Sequence, residues 1–222
     1  MGYTLNFSAV WRSFDQLLWG LLLSLELAIG AILIGAVIGL VTAFGLISTS
    51  GWARRPAALY VTMIRNLPIL VLILFSYFAL PQMGVRLGKI ESFVATLAIY
   101  SGAYLAEVFR AGLASVDHGQ VEAAHTLGLN RWQRFRYIVF PQAIRTILPP
   151  LGNDFVAMVK DSSLVSVLGV GDITQLGKVT AAGNFRYFET YNVVALIYLT
   201  LTVTLSLALR RFERHMRQPG QD

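Results

Sequence analysis

The sequence predicts an all-α integral membrane protein with five transmembrane helices and a helical elbow on the cytoplasmic side. Of its 222 residues, 55% are hydrophobic and 14% are charged, and the mean hydropathy is +0.61. A soluble domain carries about 25% charged residues. The apolar residues also gather into runs of about 20, the length that a helix needs to cross a bilayer. We therefore expect lipid to be the solvent of this chain.

Short polar segments separate the five predicted spans, which are Leu17–Ile47, Ala57–Leu80, Phe93–Val116, Ile147–Val170 and Asn192–Leu209. The first span is longer than one crossing requires, so we expect it to tilt or to project beyond the bilayer. Residues 1–16 lack the basic start of a signal peptide, and we expect them to form an extracytoplasmic segment. Residues 17–211 would then form one transmembrane domain, followed by a cytoplasmic tail at 212–222.

Basic residues predict the orientation, because cytoplasmic loops of membrane proteins are enriched in Lys and Arg. An odd number of spans places the N-terminus outside and the C-terminus in the cytoplasm. The net charge of +6 then mostly reflects the basic residues that set the orientation in the membrane, and no nucleic-acid partner is expected. The predicted cytoplasmic side carries ten basic residues: Arg54, Arg55, Arg131, Arg134, Arg136, Arg145, Arg210, Arg211, Arg214 and Arg217. The predicted outer side carries five: Arg12, Arg86, Lys89, Lys178 and Arg186.

The loops between the spans are unequal in length. The outer loops, at about residues 81–92 and 171–191, are too short to hold a domain that captures a ligand from solution. The cytoplasmic segment 117–146 is the substantial one, and helix signals occupy it. We expect it to be either a structured connector or a docking surface for a cytoplasmic partner.

Helix start and stop signals give this segment the form of a rigid elbow. Gly128 is a natural C-cap for a first short helix, and Pro141 is expected to end a second one. Two pairs of residues, each three positions apart, resemble capping boxes. These pairs are Asp117 with Gln120, and Asn130 with Gln133.

The elbow also carries a spaced motif, in which Glu122-Ala123-Ala124, Gly128, Ile138 and Pro141 spell EAA, three residues, G, nine residues, I, two residues, P. This pattern resembles the EAA loop of ABC-importer membrane subunits. The resemblance covers about Leu17 to Arg211. Further segments similar to that family are Arg65-Asn66-Leu67-Pro68, Tyr104-Leu105-Ala106-Glu107-Val108-Phe109-Arg110-Ala111-Gly112, and Lys160-Asp161-Ser162-Ser163-Leu164 followed by Gly169, the last of which resembles the branch that imports polar amino acids.

The resemblance implies a membrane-spanning permease subunit of a type I ABC importer for polar amino acids, in the histidine, glutamine, glutamate and arginine permease family. In that family two membrane subunits form an alternating-access pathway, a dimer of cytoplasmic ATPases powers it, and an extracytoplasmic solute-binding protein delivers the substrate. A bacterial inner-membrane location is implied as well. Whether the second membrane subunit is an identical copy or a paralogue stays open. The ATPase-coupling residues that the resemblance implies are Glu122, Ala123, Ala124, Gly128 and Leu129.

The residues themselves argue against ATP binding by this chain. The nearest thing to a phosphate loop is Gly171–Val179, where five residues separate Gly171 from Gly177, whereas a Walker A motif has four. Val179 also stands where Ser or Thr should follow the lysine. We therefore expect a transporter subunit that is not an enzyme, without a cofactor or metal, whose ATP is hydrolysed by a partner.

Ionisable residues within or near the spans are costly in lipid and are functional candidates for that reason. Glu107 and Arg110 lie three apart on one helix face, so they can pair with each other or with Arg65. Glu26 is expected either to face lipid headgroups or to pack. The full set is Glu26, Arg65, Glu107, Arg110, Asp154, Lys160 and Asp161.

Lys160-Asp161-Ser162 is the preferred substrate candidate, because transporter sites lie near the middle of the membrane. An amino acid needs a carboxylate for its ammonium group and a donor for its carboxylate, and Asp161 and Ser162 supply those types. Adjacent helical residues point about 100° apart, so they cannot both face one small ligand squarely. Asp161 could instead pair with Lys160 or with a neighbouring helix. Weaker candidates from the motifs are Asn66, Tyr104 and Glu107.

The sequence is less consistent with two other classes, a self-contained secondary transporter or channel and an enzyme. A secondary transporter usually has two internal repeats, and a channel has a ring of pore residues or a carbonyl-rich filter; neither is evident here. An enzyme is less favoured, since the membrane carboxylates lack a paired nucleophile or a metal cluster. The first-span glycines Gly30, Gly35 and Gly39 include one G-x-x-x-G pair, which predicts close packing within the bundle or against a second subunit.

Overall fold

The computed structural model describes residues 4–216, which contain ten α-helices joined by turns and short π-helical and 3-10 segments. The all-α prediction is confirmed. Arg217 and the rest of the predicted tail, 217–222, lie outside the described residues. The first five helices are α1 (Ser8–Arg12), α2 (Phe14–Ile47), α3 (Gly51–Arg65), α4 (Ile69–Leu74) and α5 (Lys89–Ala114), and a π-helical segment (Phe75–Ala79) and a 3-10 turn (Leu80–Met83) follow α4.

The other five helices include the elbow and the last two predicted spans. They are α6 (His118–Thr126), α7 (Arg131–Arg134), α8 (Phe140–Asp161), α9 (Ile173–Asn184) and α10 (Tyr187–Met216). A π-helical segment (Phe135–Val139) joins α7 to α8, and a 3-10 helix (Ser162–Leu168) follows α8.

Among the described residues, three helices are long and apolar enough to cross a membrane by themselves, namely Phe14–Ile47, Lys89–Ala114 and Tyr187–Arg214, and a broken pair formed by Gly51–Arg65 and Ile69–Met83 would make a fourth. The predicted second span is thus interrupted at residues 66–68. Pro68 explains the break, because proline lacks an N–H and disfavours helical backbone at the residue before it. Since α8 carries Arg145, Asp154, Lys160 and Asp161, the count of five spans stays a prediction.

The described chain divides into two compact units. Unit 1 contains the residues up to Ile32 together with Ile69–Leu97 and Phe155–Leu205, and unit 2 contains Leu33–Pro68, Ala98–Asp154 and the residues from Ser206 onward. In unit 1 an apolar core brings together α1, the start of α2, α9 and α10, through Val10, Leu17, Ile173, Val193 and Val194.

In unit 2 the glycines of α2 pack against α5. A Cβ added at Gly35 would lie 3.0 Å from the Ala98 carbonyl oxygen, and one at Gly39 would lie 2.8 Å from Leu105 Cβ. Only glycine permits this close approach of the two helices. The predicted G-x-x-x-G contact therefore lies within the bundle, while Gly30 has open space around it.

One prediction about the elbow was wrong. Pro141 does not end a short helix, because α7, the π-helical segment 135–139 and α8 form one continuous helical run. A proline cannot bond to the preceding turn and its ring crowds that turn; the wider π-helical turn directly before Pro141 accommodates this. The predicted outer segment 171–191 contains the twelve-residue helix α9.

Candidate coupling surface and translocation residues

Asp117 holds the N-terminus of the short helix α6. Its carboxylate accepts hydrogen bonds from the backbone N–H groups of Gly119 at 2.7 Å and Gln120 at 3.3 Å, which satisfies donors that a first helical turn leaves free. The Gln120 side chain does not complete the predicted capping box. Its Oε1 instead accepts a hydrogen bond from Gln142 Nε2 at 2.7 Å, which ties α6 to α8.

Gly128 ends α6 in the left-handed conformation, with a φ of 82°. Its N–H donates to the His125 carbonyl at 3.0 Å, and the Leu129 N–H donates to the Ala124 carbonyl at 3.1 Å. These two bonds form a Schellman motif, which caps the last carbonyls of the helix. The predicted C-cap is confirmed.

Asn130 starts α7 with the predicted capping box. Asn130 Oδ1 accepts a hydrogen bond from the Gln133 N–H at 2.9 Å, and Gln133 Oε1 accepts one from the Asn130 N–H at 2.9 Å. Caps at both ends of α6 and at the start of α7 fix the backbone of residues 117–133 through local hydrogen bonds.

The side chains of α6 are largely exposed. Ala124 is its buried residue, at 4% exposure. Of the other predicted coupling residues, Glu122, Ala123 and Gly128 are exposed and Leu129 is half-buried. Leu127, which the sequence analysis did not single out, is 80% exposed. The sequence feature that could have identified Leu127 is its position as an apolar residue directly before the C-cap glycine of a polar segment.

Unit 2 brings together several of the predicted intramembrane residues. The Arg65 guanidinium lies 4.9 Å from the ring centroid of Tyr104, and the hydroxyls of Tyr104 and Tyr100 are 3.2 Å apart. Glu107 Oε2 lies 2.7 Å from Arg110 Nη2. Of the two pairings left open by the sequence, Glu107 therefore takes Arg110, while Arg65 makes a cation–π contact.

The remaining ionisable and amide candidates have separate surroundings. Asn66 is exposed and its Nδ2 donates to the Thr62 carbonyl at 2.7 Å. Asp154 accepts a hydrogen bond from Ser101 Oγ at 2.7 Å. Glu26 is exposed on α2. Among residues 4–214, whose side chains the structure describes, no group of three or more His, Asp or Glu side chains is placed to hold a metal ion.

Asp161 and Ser162 lie in unit 1, where α8 gives way to the 3-10 helix. Asp161 is half-buried and Lys160 is exposed, and Asp161 forms no salt bridge among the described residues. Ser162 is fully buried and its Oγ donates to the Val159 carbonyl at 2.7 Å. The two neighbours thus differ, since Asp161 retains accessible surface and Ser162 has none.

A cluster of buried and half-buried hydroxyl groups includes Ser162, and sequence reasoning missed it. The Tyr198 hydroxyl lies 3.2 Å from Thr174 Oγ1, and the buried side chains of Ser24 and Ser162 lie close to it. The cluster links α2, α9, α10 and the 3-10 helix of unit 1. Isolated hydroxyl residues within apolar spans were the available signal, since such groups need internal partners in lipid.

Asp172 caps α9 from a buried position. Its carboxylate accepts hydrogen bonds from the N–H groups of Thr174 at 3.1 Å and Gln175 at 2.9 Å. Burial raises the pKa of Asp172 above its usual value, and these hydrogen bonds and the charge of Lys178 act in the opposite direction. Lys178 Nζ donates to Ser166 Oγ at 3.0 Å, so the polar groups of α9 are used inside unit 1.

Known proteins of similar sequence are membrane transport components. The family described as "Binding-protein-dependent transport system inner membrane component" matches residues 18–218. The chain is 40% identical over 215 residues to the glutamine transport system permease protein GlnP of Escherichia coli K12, covering 96% of this chain and 98% of that protein. It is 36% identical over 219 residues to the probable amino-acid permease protein YxeN of Bacillus subtilis 168, and the match covers 97% of this chain and 98% of that protein.

Solved structures are similar as well. The crystal structure of an amino acid ABC transporter with histidines matches with a TM-score of 0.90 at 39% identity, over 96% of this chain and 100% of that chain. An inward-facing structure of the MetNI methionine ABC transporter matches with a TM-score of 0.76 over 93% of this chain and 99% of that chain. At 20% identity the second match shows the fold alone.

Proposed function

The chain belongs to the family of binding-protein-dependent transport system inner membrane components, and from this membership we propose how it meets its partners and its cargo. It is a permease subunit of an amino-acid ABC importer and a component of the inner membrane. It is not an enzyme; the ATPase and the binding protein of such an importer are separate partners. Residues 17–211 form the transmembrane domain in this proposal, with the N-terminus outside and the C-terminus in the cytoplasm.

The ATPase docks on α6 in this proposal, and the exposed yet rigid state of α6 is the observation that carries it. Caps fix the backbone at both ends, so little conformational entropy is lost when a partner binds. Glu122 and Ala123 are exposed, and the small side chain of Ala123 allows close approach. Leu127 supplies an apolar contact. Gly128 and Leu129 set the direction in which the chain leaves the helix.

A bulky side chain on α6 tests this docking. Ala123→Trp should weaken ATPase binding by about 30-fold or more, the effect of losing a hot-spot contact of about 2 kcal/mol. Ala182→Trp is the matched control, since Ala182 is also an exposed alanine on a short helix, α9. The affinity of the purified ATPase for each permease in detergent is the measurement. Equal affinities for Ala123→Trp and the parent chain would exclude α6 as the docking surface.

The cargo is a polar amino acid in this proposal, and Asp161 contacts its ammonium group. The relative GlnP is a glutamine permease by name, and Asp161 is half-buried without a salt bridge among the described residues. Ser162, whose hydroxyl is buried and bonded to Val159, would act by shaping the backbone there. Tyr104, Asn66 and Glu107 stay weaker candidates for the pathway.

Asp161→Asn separates the ligand role from a structural one, because it keeps the shape and removes the charge. In proteoliposomes with the ATPase and binding protein, we expect amino-acid uptake to fall while binding protein still stimulates ATP hydrolysis. Unchanged uptake at every substrate concentration in a stably folded variant would count against the ligand role. Loss of thermal stability with normal uptake would assign Asp161 to structure.

A second membrane subunit completes the pathway in this proposal, as an identical copy or a paralogue. The molar mass of the importer purified with a single tagged permease distinguishes the two. One permease species at a two-to-two ratio with the ATPase indicates an identical copy, and two permease species indicate a paralogue.

A further inference from the structure

Unit 2 contains an apolar cavity of about 390 Å³. Helix α2 lines it with Ala36, Leu40 and Phe44, and α8 lines it with Phe140 and Ile144. Every lining residue is apolar, so a water molecule there would find no hydrogen-bonding partner. The volume falls within the range of about 300–1,000 Å³ that is typical of small-molecule sites.

The cavity opens to the surface of unit 2. Val37, which lines it, is 64% exposed, and Phe44 is 52% exposed. Both residues lie in α2, which is apolar enough to cross a membrane. An occupant that reaches the cavity from this surface must therefore be apolar along the part that enters.

A row of aromatic rings leads from the elbow to the cavity. The ring of Trp132 lies 5.9 Å from that of Phe135, which lies 5.9 Å from that of Phe140. Phe135 and Phe140 line the cavity, and Trp132 is 69% exposed. Because tryptophan favours the boundary between headgroups and hydrocarbon, the exposed Trp132 end of the row is suited to that boundary.

The same stretch of chain carries positive charge without a balancing acid. Arg131 and Arg136 are exposed beside the aromatic row. No Asp or Glu occurs between Glu122 and Asp154 in the sequence, and none of these arginines forms a salt bridge in the described part of the chain. An apolar chain with an anionic head fits this arrangement, since clustered basic residues at a cytoplasmic surface bind anionic lipid headgroups.

We propose that unit 2 holds an anionic phospholipid, with one acyl chain in the cavity and the phosphate beside Arg131 and Arg136. Trp132 packs at the level of the glycerol backbone. The lipid fills the space between α2 and the start of α8, so it supports the base of the elbow. The proposal is independent of the cargo and of ATPase docking, and it rests on the proposed cytoplasmic position of the elbow.

Photoactivatable lipids test the site in the assembled importer in nanodiscs. The probes are phosphatidylglycerol and phosphatidylcholine that carry a diazirine near the end of one acyl chain. After irradiation, mass spectrometry measures the labelling of peptides spanning residues 36–44 and 140–151. We expect phosphatidylglycerol to label them at least about fivefold more than phosphatidylcholine, the effect of one arginine near the surface. Equal labelling by the two lipids would overturn the proposal.

Two variants address the two ends of the lipid. Ala36→Phe fills the cavity and should reduce the labelling of 140–151 to background. Arg136→Gln changes an exposed side chain outside the cavity and should lower the preference for phosphatidylglycerol about fivefold. The controls are Val203→Phe, at an exposed apolar position of α10, and Arg12→Gln, at an exposed arginine of α1; neither should change the labelling. An unchanged preference for phosphatidylglycerol in Arg136→Gln overturns the headgroup contact. This test remains available if Ala36→Phe does not fold.

A competing occupant is a second copy of the permease. The chain has no cysteine, so Val37→Cys gives a single reactive group at the mouth of the cavity. If a bifunctional thiol reagent joins this cysteine to another permease subunit in high yield, the cavity belongs to a subunit interface and the lipid proposal is wrong. Monomeric labelled permease supports the lipid.

Discussion

The two short helices α6 and α9 are both capped by an aspartate, yet their surroundings differ. Asp117 is exposed and Asp172 is fully buried. Helix α6 buries one residue, Ala124, whereas α9 buries Ile173, Gly177 and Ala181. The polar groups of α9 bond within unit 1, while the side chains of α6 are largely exposed. The same local signal therefore begins one helix that packs into the fold and one whose exposed surface is consistent with the proposed ATPase docking.

The sharpest test of this contrast compares one apolar residue from each helix. Ile173 is fully buried, so Ile173→Ala should lower the free energy of unfolding by about 2–5 kcal/mol. Leu127 is exposed, so Leu127→Ala should change it by no more than about 0.5 kcal/mol but weaken ATPase binding about tenfold. Thermal unfolding and ATPase affinity of the purified permease measure both effects. A stability loss in Leu127→Ala equal to that of Ile173→Ala would erase the distinction.

A second test isolates the backbone conformation that ends α6. A Cβ added at Gly128 meets nothing within 4 Å, so substitution acts through the φ of 82°. Gly128→Val should strain the turn by about 1–3 kcal/mol and reduce uptake in proteoliposomes. Gly128→Asn should remain close to the parent, because asparagine tolerates this conformation.

Gly84 provides the matched control for that strain. It has a φ of 92° and open space at its Cβ position, and it follows the 3-10 turn Leu80–Met83. Gly84→Val should carry a similar strain without loss of ATPase binding. If both valine variants lose the ATPase equally, general instability rather than the direction of the elbow explains the defect.

Removing the N-cap side chains Asp172 and Asp117 should have a smaller effect on stability and on ATPase binding. Asp172→Ala should lower the free energy of unfolding by about 1 kcal/mol, the usual effect of removing an N-cap side chain, whereas Asp172→Asn should retain most of it. Asp117→Ala frays α6, and we expect it to weaken ATPase binding while the thermal unfolding of the permease stays nearly constant. A drop in unfolding temperature for Asp117→Ala as large as that for Asp172→Ala would contradict the contrast.

The smallest effect is a pH dependence at Asp172. Burial raises the pKa of Asp172 in the folded chain, so the fold favours the protonated form. The contribution of this group to stability is fully present below the unfolded pKa of about 3.9 and is lost as the pH rises through the folded pKa. The stability of the parent relative to Asp172→Asn should therefore decline as the pH rises from about 4. A flat or rising difference would show that the hydrogen bonds of the cap outweigh burial.

Elements that depend only on neighbouring residues could be predicted from the sequence. The apolar runs gave the long helices α2, α5 and α10, because a membrane span is a matter of length and composition. The left-handed Gly128 and the capping box of Asn130 with Gln133 were predicted correctly, since each is built from residues at most a few positions apart. The spacing of the EAA motif likewise indicated the family before any contact was known.

Which of several allowed partners each side chain takes depends on the packing of distant segments. Arg65 stacks on Tyr104 while Glu107 takes Arg110, and the sequence allowed either pairing for Glu107. The hydroxyl cluster around Tyr198 joins four elements that lie far apart in the chain. The burial that separates Asp172 from Asp117 depends on which helices pack beside each cap. Such outcomes are set by contacts between distant segments, and a one-dimensional pattern does not contain the distances between them.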